Sequence, residues 1–140
     1  MQEPERPLGL GILAVVSFAA ALWNIQAAVP LILLVTGHLR MPDEPGMAAG
    51  YFALPDWFRY FLLVTAFAKA AFLVAAAVGY FARKRLGRLA GSAYAVVSLV
   101  ESGIAASVFH VFGRESIIAV LFAVFTLLAV NTMYKDALTR

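Results

Sequence analysis

The stretch WFRYFLLVTAFAKAAFLVAAAVGYFARKRLGRLAGSAYAVVSLVESGIAASVFHVF, residues 57–112, decides the fold. It consists of two long apolar runs, Trp57 to Phe81 and Leu89 to Phe112, around the basic turn Arg83-Lys84-Arg85 with Arg88. About 20 apolar residues in a helix span the hydrocarbon core of a bilayer. Each run is long enough, and the short turn makes the two helices antiparallel neighbours.

Two further runs lie outside this pair. One extends from Leu8 to Leu39 and contains Pro30, which removes a backbone donor and predicts a bend. The other extends from Ile117 to Tyr134 and follows the short break Gly113-Arg114-Glu115-Ser116. The expectation is an all-α, integral membrane four-helix bundle of up-down topology. It forms a single domain over residues 1–140, with helices at about 8–39, 57–81, 89–112 and 117–134. The fourth run carries Ile117, Leu121, Phe122, Val124, Phe125 and Leu128, which predicts lipid contact almost all round.

Composition leads to the same class. The chain is 63% hydrophobic over 140 residues, with a mean hydropathy of +0.86. Soluble domains sit near half apolar, and a chain this short cannot hide the excess in a core. The net charge of +3 is concentrated in the central turn. No basic face with interleaved aromatics lies outside the apolar runs, so nucleic acid is not an expected partner. There are no cysteines, which removes disulfides, thiolate metal sites and thiol chemistry.

The N-terminus has two parts of a secretory signal, Leu8 to Phe18 as apolar region and Ala19-Ala20-Ala21 as cleavage site. The preceding Gln2-Glu3-Pro4-Glu5-Arg6 is not clearly positive and the apolar run continues past the alanines, so an uncleaved helix is expected. The breaks have their own chemistry. Pro42-Asp43-Glu44-Pro45-Gly46 is a turn-rich loop, Met47 to Leu54 suits the membrane surface, and Asp56 supplies an N-cap acceptor before the second helix. Positively charged loops stay in the cytoplasm. The turn at residues 83–88 is therefore expected to be cytoplasmic, and with it both termini.

The polar residues inside the apolar runs point to function. Lys69 lies 14 residues before Arg83, and Glu101 lies 13 after Arg88. At 1.5 Å per residue both sit about 20 Å from the turn. A lone charge at the bilayer centre costs about 2.5–3.5 kcal/mol on insertion scales, so the two are expected to face each other. Asn24 and Thr126 lie near the middles of the first and fourth runs, at the same nominal depth. Steps of three and four place Ser98 and Tyr94 on the Glu101 face. Lys69, Glu101, Asn24, Ser98, Tyr94 and Thr126 are thus the expected ligand-binding set. A purely structural role, pinning helices in register, is the competing reading. Trp23 beside Asn24 either walls this site or marks a first helix that sits higher. Gly87-x-x-x-Gly91 and Gly103-x-x-x-Ser107 are two small-residue spacings suited to close helix packing.

His38 and His110 fall at the same end of the bundle, where a two-histidine metal or haem site is geometrically open, but helix-end placement is the stronger explanation and no metal site is expected. No metal motif, phosphate loop or hydrolase motif is present, and no cofactor is expected.

Leu22-Trp23-Asn24 in the first helix and Tyr51-Phe52-Ala53-Leu54-Pro55-Asp56-Trp57 before the second resemble the DoxX-like group of small four-helix bacterial membrane proteins. The resemblance covers about the first two-thirds of the chain. It implies a bacterial inner-membrane location and a membrane-embedded accessory or small-molecule role, with no catalytic residues to carry over. Small multidrug transporters also pair four helices with a glutamate, but in the first helix, whereas Glu101 is in the third. Three functions remain. They are binding or transport of a small amphipathic or proton-coupled ligand, an accessory subunit of a larger membrane complex, and an intramembrane isomerase with Glu101 as acid or base. The expected partners are the lipid bilayer, a small hydrophobic ligand, and a second copy or another membrane protein.

Overall fold

The structure, a computed structural model, describes residues 8–37, 55–110 and 114–138. Four α-helices account for nearly all of it: α1 Leu8–Val35, α2 Asp56–Phe81, α3 Arg85–Val108 and α4 Arg114–Leu128. A π-helical turn, Ala129–Met133, prolongs α4, and a short 3-10 turn, Asp136–Leu138, follows. The described residues contain no strand. Each of the four helical stretches is long and apolar enough to cross a membrane, the last including the π turn.

The exterior confirms the composition. Only 22–33% of each span's apolar window is buried inside the chain. Val15, Leu22, Val64, Val96, Leu121 and Phe125 all point outward. Lipid tails accept such a surface and water does not. Lipid also removes the hydrophobic drive that would press helices together, so association depends on close van der Waals approach of small residues. Accordingly, eleven of the twenty buried apolar side chains among the described residues are alanine. On α1, Leu10, Ala14, Ser17, Ala21, Ala28 and Leu31 form a buried seam with alternating spacings near three and four, the geometry of gently supercoiled packing.

Two core clusters result. The larger joins Leu10, Leu13 and Ala14 of α1 to Ala76 and Tyr80 of α2, Ala90 of α3, and Ala129, Val130 and Leu138 at the chain's end. The smaller joins Ala21, Leu73 and Tyr94. α3 runs back along α2: Gly79 meets Gly87, Lys69 meets Glu101, and Phe58 meets Phe109 at 4.3 Å between ring centroids. Trp57 joins the two rings and closes that end of the pair.

The turn is shorter than its charge pattern predicts. α3 begins at Arg85, four residues before the predicted start, because Arg85 and Arg88 are good helix formers and enter its first turn. α2 ends in a Schellman arrangement: Lys84 N–H donates to Gly79 O (2.8 Å) and Arg83 N–H to Tyr80 O (3.2 Å). Arg83 takes the left-handed conformation at φ 52°.

Other boundaries move as well. α1 continues through Pro30 without a break and ends at Val35. α2 starts one residue early, and the cap position is Pro55, not Asp56. Asp56 instead lies in the first turn, where its charge suits the helix dipole, and accepts from Arg59 at 3.0 Å. α4 is not lipid-facing all round. Ala123 and Thr126, with Ala129 and Val130 of the π turn, form a fully buried stripe, because small side chains let this helix approach its neighbours. The loop over 38–54 lies outside the described residues.

Candidate functional site

Lys69 rises from the middle of α2 and Glu101 from the inward stripe of α3. Lys69 Nζ donates to Glu101 Oε1 at 3.0 Å. Their side chains keep 13% and 18% of their exposure, so neither charge is hydrated as it is in bulk water. Glu101 falls in step with Gly87, Gly91, Tyr94 and Ser98 along the seam that faces α2, which is why it turns inward. The second carboxylate oxygen, Oε2, is buried and has no hydrogen-bond partner among the described residues.

One turn away on α3, the Ser98 side chain engages the Tyr94 hydroxyl. Both side chains are buried, and the Tyr94 ring packs at 5.8 Å on Phe122 of α4. Four of the expected residues, Lys69, Glu101, Ser98 and Tyr94, therefore belong to one polar stretch of the α2–α3 interface.

Asn24 lies near this depth, one turn past Ala21, which packs with Leu73 and Tyr94. Its amide, however, donates to Ala20 O of its own helix at 2.8 Å. A lone amide in an apolar segment finds its nearest carbonyl one turn back. Trp23 is 60% exposed and faces away from the bundle, so it does not wall the site.

Thr126 belongs to another layer. It is fully buried beside Gly91, where an added Cβ would come within 3.5 Å of its methyl group. Gly91 is ten residues from Glu101, about 15 Å along the helix axis. The shared depth expected of all four polar residues fails at α4. The packing of this helix, not the midpoint of its apolar run, sets its height.

A second polar group lies toward the basic end of the bundle. Arg88 Nε donates to Asn131 Oδ1 at 3.0 Å. Asn131 Nδ2 donates to Ser92 Oγ at 3.0 Å and to Leu127 O at 2.8 Å. Asn131 sits in the π turn, whose extra residue is recorded by the Tyr134 N–H to Ala129 O bond at 2.8 Å. Such turns recur at functional sites. An uncharged asparagine near the end of an apolar run gives no charge signal, and Arg88 was absorbed into the topology pattern. The irregular turn was the feature to look for.

His110 is exposed at the end of α3 with φ 54°, and His38 lies outside the described residues. Among the described residues no three His, Cys, Asp or Glu side chains gather as metal ligands.

Helices long and apolar enough to cross a membrane, packed through alanine seams, place the chain in the class of multi-pass helical membrane proteins. In comparison with known proteins, it matches no family model, no curated protein and no solved structure.

Proposed function

We propose that this chain is a four-helix, up-down protein of the inner (cytoplasmic) membrane whose Lys69–Glu101 pair forms a midplane site for a small amphipathic or proton-coupled ligand. The observation that carries the reading is the unequal treatment of the two carboxylate oxygens. Oε1 is held by Lys69, whereas Oε2 is buried and open. An ion pair kept only to pin two helices gains most when every lone pair is satisfied. An open acceptor in an apolar interior is a place for a ligand N–H or O–H, or for a proton. Ser98 and Tyr94 extend the polar surface by one turn, and the surrounding alanines and phenylalanines suit an apolar tail.

The up-down arrangement is supported by the larger core cluster, which gathers the start of α1, the end of α2, the start of α3 and the end of α4. The basic turn supports a cytoplasmic placement for that end, and with it both termini. The resemblance to DoxX-like proteins agrees with a small-molecule or accessory role.

A second reading, an accessory subunit of a larger membrane complex, draws on one observation. Gly103 has no heavy atom within 4 Å of where its Cβ would lie, and Ser107 is exposed one turn on. That small-residue spacing packs against nothing among the described residues.

The test is native mass spectrometry of the protein purified in nanodiscs, comparing wild type with Glu101→Gln and Lys69→Met. Retention of small amphipathic molecules by wild type and their loss in both variants is expected. Identical retention in all three would remove the pair from ligand binding.

A further inference from the structure

Three hydroxyl groups, each fully buried, have no hydrogen-bond partner among the described residues: Ser17 Oγ on α1, Tyr80 Oη on α2 and Thr126 Oγ1 on α4. Their neighbours along the chain place them near the boundary between the two core clusters. Ser17 lies one turn from Ala14 of the larger core cluster and one turn from Ala21 of the smaller. Thr126 lies between Phe122, which packs against both clusters, and Ala129 of the larger one. The Tyr80 ring starts in the larger cluster and runs across Gly87, so that its hydroxyl reaches Gly91. A side chain on Gly91 would collide with that hydroxyl and touch the Thr126 methyl group. The two apolar clusters thus enclose a thin layer to which three helices contribute a hydroxyl and the fourth a glycine.

Buried polar groups in native proteins are almost always bonded, to protein or to ordered water. One orphan hydroxyl is tolerable, but three near one boundary point to a shared partner. A water molecule needs two to four polar neighbours. We propose that Ser17, Tyr80 and Thr126 form a hydrated layer inside the bundle, an internal water site separate from the Lys69–Glu101 pair. Ser92, one residue past Gly91 on α3, belongs to the Arg88–Asn131 network. Further along α3 lie Tyr94 and Ser98, and then the open oxygen of Glu101. On the α3 face that carries Gly91, the polar groups Tyr94, Ser98 and Glu101 follow at steps of three and four residues, about 5–6 Å apart along the axis. The layer sets water beside the stripe of α3 that leads to Glu101. Its purpose rests on the reading of that pair as a proton-coupled site, but its hydration does not.

The native chain has no cysteine, so single substitutions report without background. Ser17→Cys, Thr126→Cys and Ala123→Cys are each prepared in nanodiscs and treated with a small water-soluble methanethiosulfonate. Ala123 is as fully buried as the other two and lies one turn from Thr126. Only a thiolate reacts, and a thiolate needs water. Modification of Ser17→Cys and Thr126→Cys at least tenfold faster than Ala123→Cys is expected. Equal rates at all three positions, slow or fast, would overturn the layer. Radiolytic hydroxyl-radical labelling of the unmodified chain gives an independent reading that no misfolded variant can confuse. Tyr80 is labelled despite complete burial if water lies against it, and its protection to the level of buried Leu73 counts against the proposal. Neither readout involves a ligand, so a dry layer leaves the Lys69–Glu101 reading standing, and failure of ligand retention leaves a wet layer standing.

Discussion

Removing one partner of the Lys69–Glu101 pair has a cost that can be bounded. At 3.0 Å two unit charges attract by about 5–6 kcal/mol at an effective dielectric near 20, before desolvation is subtracted. In Lys69→Met the carboxylate is left in an apolar bundle. Removing one partner of a buried pair leaves the other charge uncompensated and costs about 3–5 kcal/mol in general. Lys69→Met and Glu101→Gln are each expected to lose about 2–4 kcal/mol at pH 7, while the double variant recovers most of the loss. The assay is reversible unfolding in bicelles by steric trapping. A coupling energy below about 0.5 kcal/mol would place the residues outside mutual influence and refute the reasoning. A double variant at or above wild type shows that folding does not need the pair, which strengthens the functional reading.

The glycines make three contrasting predictions, all read by the same unfolding assay. A Cβ at Gly79 would meet the backbone of Gly87, which cannot rotate away, so Gly79→Ala should lose about 3 kcal/mol or more. Gly103 has open space, and Gly103→Ala should be neutral or gain up to about 1 kcal/mol through helix propensity. Gly91→Ala should lose about 1–3 kcal/mol by pressing on the Tyr80 hydroxyl, and adding Tyr80→Phe should return a good part of it. Asn131→Leu strips Arg88 and Ser92 of their shared partner. It should cost about 1–3 kcal/mol and open the turn to amide hydrogen exchange.

The sequence determined the class and the four candidate spans, and it raised the expectation that Lys69 faces Glu101, a contact the structure supplies at 3.0 Å. Span length is a property of consecutive residues, and the short basic turn leaves two neighbouring helices little freedom, so equal distances along the chain became equal depths. It also marked Gly87 and Gly91 as a packing seam, but could not separate them from Gly103 and Ser107, which have the same spacing and face outward. The tertiary structure alone decided which small-residue face is covered, since that depends on helix rotation. It also set the height of α4, and with it moved Thr126 from the Glu101 layer to Tyr80 and Gly91. It turned the Asn24 amide back onto its own helix and made a partner of Arg88 out of Asn131. Serine, threonine, asparagine and tyrosine cost little to carry in an apolar run, so their positions along the chain say little about depth or partner. A charge is expensive enough to announce itself in sequence, whereas a hydroxyl is placed only by the helices that pack around it.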